Sequence, residues 1–182
     1  MNYHNITKND MLNGDGLRVV LWVSGCDNFC DECQNPQTWN KDSGILFDEN
    51  AKQELFDELD KDYISGITLS GGDPFMKSNR KEIELLVKEI ATKYPNKTIW
   101  AYTGKLYEDL LKEEDMQEIL PLIDVLLDGK YVKELRCVSE PWVGSTNQRV
   151  IKCKESLKTN QLVLLNSEGI KTEQILECNV DC

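Results

Sequence analysis

Three of the chain's seven cysteines fall within eight residues. They stand in the run Ser24-Gly25-Cys26-Asp27-Asn28-Phe29-Cys30-Asp31-Glu32-Cys33, a C-x3-C-x2-C spacing. Thiolates so spaced can converge on one centre from a single loop. Structural zinc takes four ligands, and a fourth here would have to come from Cys137, Cys153, Cys178 or Cys182. A cubane iron–sulfur cluster is normally held by four thiolates. With three, one iron keeps an open position where a substrate can bind, by the logic that makes an incomplete zinc shell catalytic. The spacing also fits a buried helix face, but Asp27, Asn28, Asp31 and Glu32 are poor company for an apolar stripe. The single histidine, His4, excludes His-based triads and His-rich zinc sites. A second cysteine pair, Cys178-x3-Cys182, reads as two thiols on a tail.

The elements that must position this loop alternate along the chain. Residues Leu17 to Ser24 form a near-continuous apolar run of strand length, as in a strand covered on both faces. Phe47, Ala51, Leu55, Phe56 and Leu59 recur at helical spacing behind Asp48 as a cap. Ile64 to Ser70 is a second strand ending in Gly71-Gly72-Asp73-Pro74. Asn79 with Glu82 resembles a capping box, opening a helix with Ile83, Leu86, Val87 and Ile90 on one face, stopped by Pro95. Thr98 to Tyr102 is a third strand, closed by Thr103-Gly104. Leu106 to Leu120 suits a third helix, broken near Asp115, and Ile123 to Leu127 a fourth strand leading into Asp128-Gly129-Lys130. Residues 131–147 read as an irregular loop, and Gln148 to Lys152 and Gln161 to Leu165 as short strands with little helix between them. Such β–helix–β crossovers imply an α/β fold with a parallel sheet. Ligands in such sheets bind beyond the carboxyl ends of the strands. The cysteine loop, the Gly-Gly-Asp-Pro turn, Thr103-Gly104 and Asp128-Gly129-Lys130 all fall at those ends.

With 182 residues the chain fits one domain, 1–182. Lys plus Arg is 21 and Asp plus Glu is 32, a formal charge of −11, which disfavours non-specific nucleic-acid or anionic-membrane binding. No apolar run approaches the ~20 residues of a membrane span. The N-terminus MNYHNITKND lacks the pattern of a signal peptide. The expected setting is the cytoplasm, where clustered thiols suggest metal or redox chemistry.

At this point the motifs resemble a family. C-x3-C-x2-C after a strand, with Gly71-Gly72-Asp73-Pro74 after the next, is similar to the radical S-adenosylmethionine (SAM) enzymes, whose usual Gly-Gly-Glu-Pro carries Glu where Asp73 stands. Residues 14–25, Asn35, Thr38-Trp39, Tyr102-Thr103-Gly104, 124–131 and 144–151 resemble the anaerobic ribonucleoside-triphosphate reductase activating proteins. The likeness covers about residues 12–152, while 153–182 match nothing assigned. It implies a compact partial (β/α) barrel of mostly parallel strands. Cys26, Cys30 and Cys33 would hold a [4Fe–4S] cluster whose fourth iron is chelated by SAM. One-electron cleavage of SAM gives methionine and a 5′-deoxyadenosyl radical, which takes a hydrogen atom from a glycine of the reductase.

No side chain is expected to react beyond the cluster and SAM, which accords with the near-absence of histidine. By the same resemblance Gly71 and Gly72 let backbone approach the methionyl group, and Asp73 fixes their turn. The family's aromatic before the third cysteine is replaced by Glu32, so adenine would pack against backbone at Glu32, Cys33 and Gln34, or on Phe29. Asp128 and Lys130 would lie near SAM, Asp128 also near a monovalent cation, and Asn147-Gln148-Arg149 would touch SAM or the partner. The implied partners are the reductase and an electron donor such as flavodoxin or ferredoxin. The alternatives are another small radical SAM enzyme, of formate-lyase-activase or small-molecule type, and a non-catalytic zinc or iron–sulfur module.

Overall fold

The structure, a computed structural model, describes residues 1–165. Cys178 and Cys182 lie outside the described residues. Seven strands form one mixed sheet: β1 (Asn2–Asp10), β2 (Arg18–Val23), β3 (Ile45–Leu46), β4 (Gly66–Gly71), β5 (Thr98–Tyr102), β6 (Val125–Asp128) and β7 (Arg149–Lys152). Their order is β3-β1-β2-β4-β5-β6-β7. The central four, β2, β4, β5 and β6, are mutually parallel. β1 is antiparallel to β2, β3 to β1, and β7 to β6. The expected α/β class and parallel centre are therefore present, with antiparallel edges added.

Strand alternation divides the side chains cleanly. Val19, Leu21 and Val23 of β2, Ile67 and Leu69 of β4, Ile99 and Ala101 of β5, Leu126 of β6 and Ile151 of β7 share one large core. Three helices pack against them, α1 (Glu49–Leu59), α2 (Lys77–Lys93) and α3 (Tyr107–Leu110), and β1 and the connecting segments add Tyr3, Ile6, Phe75, Met116 and Ile119. The opposite face carries a smaller cluster of Trp100, Val125 and Leu127, packed by Tyr102, Trp142, Val143 and Val150. β2 is buried along its length apart from half-buried Trp22, as expected of a strand covered on both faces. The sheet carries helices on one face, and on the other the loop 131–147 packs Trp142 and Val143 against the smaller cluster.

Asp48 caps α1 as expected, accepting from the backbone N–H of Asn50 and Ala51, both at 3.0 Å. Asn79 does not cap α2. That helix starts three residues earlier, with Met76 in the cap position, and Asn79 is buried in its first turn. The expected third helix is one short turn, α3, followed by 3-10 turns at Glu114–Met116 and Leu120–Leu122. Between the two C-terminal strand candidates stands a helix that the sequence reading passed over, α4 (Cys153–Thr159). Only an isolated bridge, Ile151 to Leu164, remains of the second of those strands.

Buried Arg80 of α2 pins the irregular segment after α3, donating to Glu113 Oε2 at 2.7 Å and Oε1 at 3.0 Å, and to Asp115 Oδ1 at 2.6 Å. The hydrogen bond from Arg80 holds Glu113 below its ordinary carboxyl value of 4.5. A depressed carboxyl adds stability above that value and loses it as pH falls through the folded pKa. The urea midpoint of Glu113→Gln should therefore lie below wild type at pH 7, and the gap should close on acidification below about pH 4.5.

Candidate functional site

Because β2, β4, β5 and β6 run parallel, their carboxyl ends share one rim, and the four chemically suggestive loops meet there. The cysteine loop leaves β2. It is not helical, which removes the buried-helix-face alternative. Cys26, Cys30 and Cys33 are all reduced and half-buried. Phe29 and Glu32 hold left-handed backbone, at φ 46° and 51°, which non-glycine residues adopt rarely and chiefly where surroundings enforce it.

The Gly-Gly-Asp-Pro turn is bonded directly to the start of that loop. Gly72 N–H donates to Val23 O at 2.8 Å, and Asp73 N–H to Gly25 O at 2.7 Å. A Cβ on Gly71 would sit 2.7 Å from Val23 backbone N and O, and one on Gly72 2.4 Å from Gly25 O. The chain's own backbone at Val23 and Gly25, just before Cys26, thus already demands both glycines. Ligand approach, the reason inferred from sequence, is not needed to explain them. Gly72→Ala should displace Gly25 and Cys26 while sparing the core. Its far-ultraviolet circular dichroism should match wild type, and iron retained after reconstitution should fall severalfold.

Asp73 is 1 % exposed. Its Oδ1 accepts from Phe75 N–H at 2.9 Å. Its Oδ2 accepts from Asn28 Nδ2 at 2.9 Å, Thr103 Oγ1 at 2.9 Å and Gly104 N–H at 3.1 Å. Burial pushes the Asp73 carboxyl up and these donors pull it back. This is the turn-fixing role expected of it, extended to two further loops. Asn79, misread as a cap, ties the same corner by donating to Ser24 O at 2.8 Å and Asp73 O at 3.2 Å.

Asp128 and Lys130 do not pair with each other. Asp128 is fully buried, and both its oxygens are engaged: Oδ1 by Arg149 Nε at 2.9 Å, Oδ2 by Tyr107 N–H at 2.8 Å and by the Arg149 guanidinium. Lys130 instead reaches the cysteine loop, donating to Asn28 O at 3.2 Å. Asn147 and Gln148 brace the Asp128-Gly129-Lys130 turn by donating to Lys130 O at 2.8 Å and Gly129 O at 2.9 Å. The block 147–149 thus has an internal job that its sequence did not announce.

Glu32 and Gln34 are exposed, and Glu32 Oε1 lies 2.6 Å from Lys133 Nζ in the 131–147 loop. That loop also lays Trp142 edge-on against Trp100, with ring centroids 4.9 Å apart, and its Trp142 carbonyl accepts from Tyr102 OH at 2.9 Å. Phe29 is exposed and packs edge-on against Trp39 at 5.4 Å. His4 is tied to Ser43 Oγ at 2.9 Å.

The donor set fits an iron–sulfur cluster. Among the described residues no three His, Cys, Asp or Glu side chains surround a common point for one ion. Thiolates on a cubane each bind a different iron and need no such point. Sulfur acceptors are already met by N–H donors, Asn28 Nδ2 to Cys26 Sγ at 3.4 Å and Asn35 N–H to Cys33 Sγ at 3.3 Å. Trp39 Nε1, beside this loop, is the one buried side-chain nitrogen or oxygen among the described residues with no partner, a donor free for a further acceptor. Burial pushes the Cys26 thiol up, and hydrogen bonds from Asn28 act against it.

These features define a protein built around one iron–sulfur cluster, and residues 12–151 match the family model of a 4Fe-4S single cluster domain. Curated relatives named anaerobic ribonucleoside-triphosphate reductase-activating protein cover most of the chain. That of Enterobacteria phage T4 is 45% identical over 150 residues, 82% of this chain and 93% of its own. That of Escherichia coli K12 is 40% identical over 152 residues, 82% and 97% of the two chains. That of Haemophilus influenzae is 38% identical over 156 residues, 85% and 99%. The chain belongs to this family of iron–sulfur activating enzymes. Among the described residues no helix is long and apolar enough to cross a membrane.

Proposed function

We propose that this chain installs a glycyl radical on an anaerobic ribonucleoside-triphosphate reductase, using a [4Fe–4S] cluster on Cys26, Cys30 and Cys33 together with SAM. The observation that carries the reading is the convergence of the other three strand-end loops on the cysteine loop, through Asn28, Asp73, Thr103, Gly104 and Lys130. When bound, the reduced cluster and SAM supply a single-electron cleavage whose organic product removes a hydrogen atom from the partner's glycine.

The chain's own residues bind and orient. Gly71, Gly72 and Asp73 hold the turn facing the methionyl group. Backbone at Glu32, Cys33 and Gln34 flanks the adenine. Lys130, tethered near the cysteine loop, supplies a cation to the SAM carboxylate. Asp128 acts at one remove, by holding Arg149 and the start of α3. A monovalent cation beside Asp128 would compete with the Arg149 guanidinium, so the proposal extends to SAM and not to that cation.

A parallel sheet with helices on one face suits a partial (β/α) barrel of radical SAM type in a single domain. The reductase's glycine loop enters by the rim, on the face without helices. The setting is the reducing cytoplasm, with a flavodoxin or ferredoxin as electron donor. The test is anaerobic reconstitution, dithionite reduction with SAM, and chromatography for 5′-deoxyadenosine. Mixing with the reductase should then give the doublet electron paramagnetic resonance signal of a glycyl radical. An intact cluster yielding no 5′-deoxyadenosine overturns the reading. 5′-Deoxyadenosine without the doublet redirects it to another substrate.

A further inference from the structure

We propose that Asn28 is a positioning residue that raises the reduction potential of the cluster and locks the Gly-Gly-Asp-Pro turn against it. This rests on the reading of Cys26 as a cluster ligand. The side-chain amide of Asn28 has two N–H groups and a use for both. It donates to Cys26 Sγ at 3.4 Å and to Asp73 Oδ2 at 2.9 Å. The backbone carbonyl of Asn28 accepts from Lys130 Nζ at 3.2 Å. The third neighbouring loop is moulded to the amide, since a Cβ on Gly104 would lie 2.4 Å from both Cγ and Nδ2 of Asn28. This one residue, between two cysteines, therefore touches every other loop of the rim, two through its side chain and the third through its backbone carbonyl.

The physical consequence follows from charge. A reduced cluster is more negative than an oxidised one, so an N–H donor to a ligating sulfur stabilises it preferentially and raises its potential. Asn28 suits this task because its other N–H is anchored on a buried carboxylate, which fixes the rotamer. Thr103 shares the anchor without touching sulfur, donating to the same Asp73 oxygen at 2.9 Å. That makes it the control for an effect transmitted through the turn alone.

The experiment is a redox titration of the reconstituted protein without SAM, followed by electron paramagnetic resonance of the reduced cluster. In Asn28→Ala the ratio of reduced to oxidised cluster at a given potential should fall about tenfold, which is ~59 mV for one electron. Thr103→Val should titrate as wild type. An Asn28→Ala midpoint equal to wild type, at equal iron content, overturns the proposal. So does an equal shift in Thr103→Val, because the effect would then run through the turn. Should Asn28→Ala fail to hold a cluster, wild-type protein carrying 15N only in asparagine side-chain amides decides the matter. Pulsed resonance should detect a 15N coupling to the reduced cluster, and its absence overturns the proposal. Wild-type protein that takes up no cluster would sink the proposed function as well, whereas a loaded cluster indifferent to Asn28 sinks this inference alone.

Discussion

Cys30→Ala is expected to abolish the brown colour and broad absorbance near about 400 nm that anaerobic reconstitution gives an iron–sulfur protein. Iron content, 5′-deoxyadenosine formation and glycyl radical should all fall to background. The reason is stoichiometric. On the proposed ligand set three thiolates would leave one iron open for substrate, and two would leave a second iron open to water and oxidant, so the cluster would be lost. The same substitution should barely touch the apo fold, because Cys30 is half-buried in a loop away from both hydrophobic clusters. Its urea unfolding without iron should match wild type within about 0.5 kcal/mol.

Cys153 provides the mirror case. It is fully buried in the large core, its Sγ lies 3.3 Å from Leu120 O, and burial pushes its thiol up to about 12. Cys153→Ala should lose about 1–2 kcal/mol of stability from the cavity and the lost hydrogen bond, yet bind a full complement of iron. If Cys30→Ala kept its colour while Cys153→Ala lost it, the ligand set would have to be redrawn. A colourless wild type holding zinc would favour a non-catalytic module instead.

What the sequence reveals of this site is its covalent and periodic part. Three cysteines at fixed spacing need no tertiary information, and apolar runs separated by helical patterns place their loops on one rim once the strands are parallel. The connections between those loops are a different matter. Asn28 to Asp73 spans 45 residues, and Lys130 to Asn28 spans 102. No local pattern encodes a bond between groups so far apart. Asn28 reads as polar filler between cysteines, and Asn79 followed by Glu82 imitates a capping box. Strand β1 escapes notice because its nine residues, Asn-Tyr-His-Asn-Ile-Thr-Lys-Asn-Asp, are mostly polar. It pairs with β2 through two register irregularities and buries only Tyr3 and Ile6, so no alternation survives to be read.

The largest effect on stability should come from the other end of the sheet, at Arg18. This residue opens β2 and is 0 % exposed. Its five N–H groups meet five acceptors: Thr68 Oγ1 at 2.8 Å, Asp15 O at 3.1 Å, Thr98 Oγ1 at 2.9 Å, Ile67 O at 2.7 Å and Thr98 O at 2.8 Å. The guanidinium carbon stands 5.0 Å from the Trp100 ring centroid. Burial pushes its pKa down to about 10, so at neutral pH it remains a cation with no carboxylate bonded to it. A buried charge is tolerable only when its donors are met, and here backbone carbonyls, hydroxyls and an aromatic face do so. The fork also closes the floor of the face that has no helices, where Arg18, Thr68, Thr98 and Trp100 share one side of three strands. Arg18→Met keeps the bulk but leaves those acceptors buried without donors. It should cost about 3–5 kcal/mol and lower the apo melting temperature by roughly 10 °C. Arg18→Lys keeps the charge but has three donors and no planar fork, and should fall between. Because Arg18 sits at the amino ends of the strands and the cysteines at the carboxyl ends, Arg18→Met held well below its melting temperature should still load its cluster. Urea unfolding of Arg18→Met within about 1 kcal/mol of wild type would mean that packing alone closes the floor and the buried cation adds nothing.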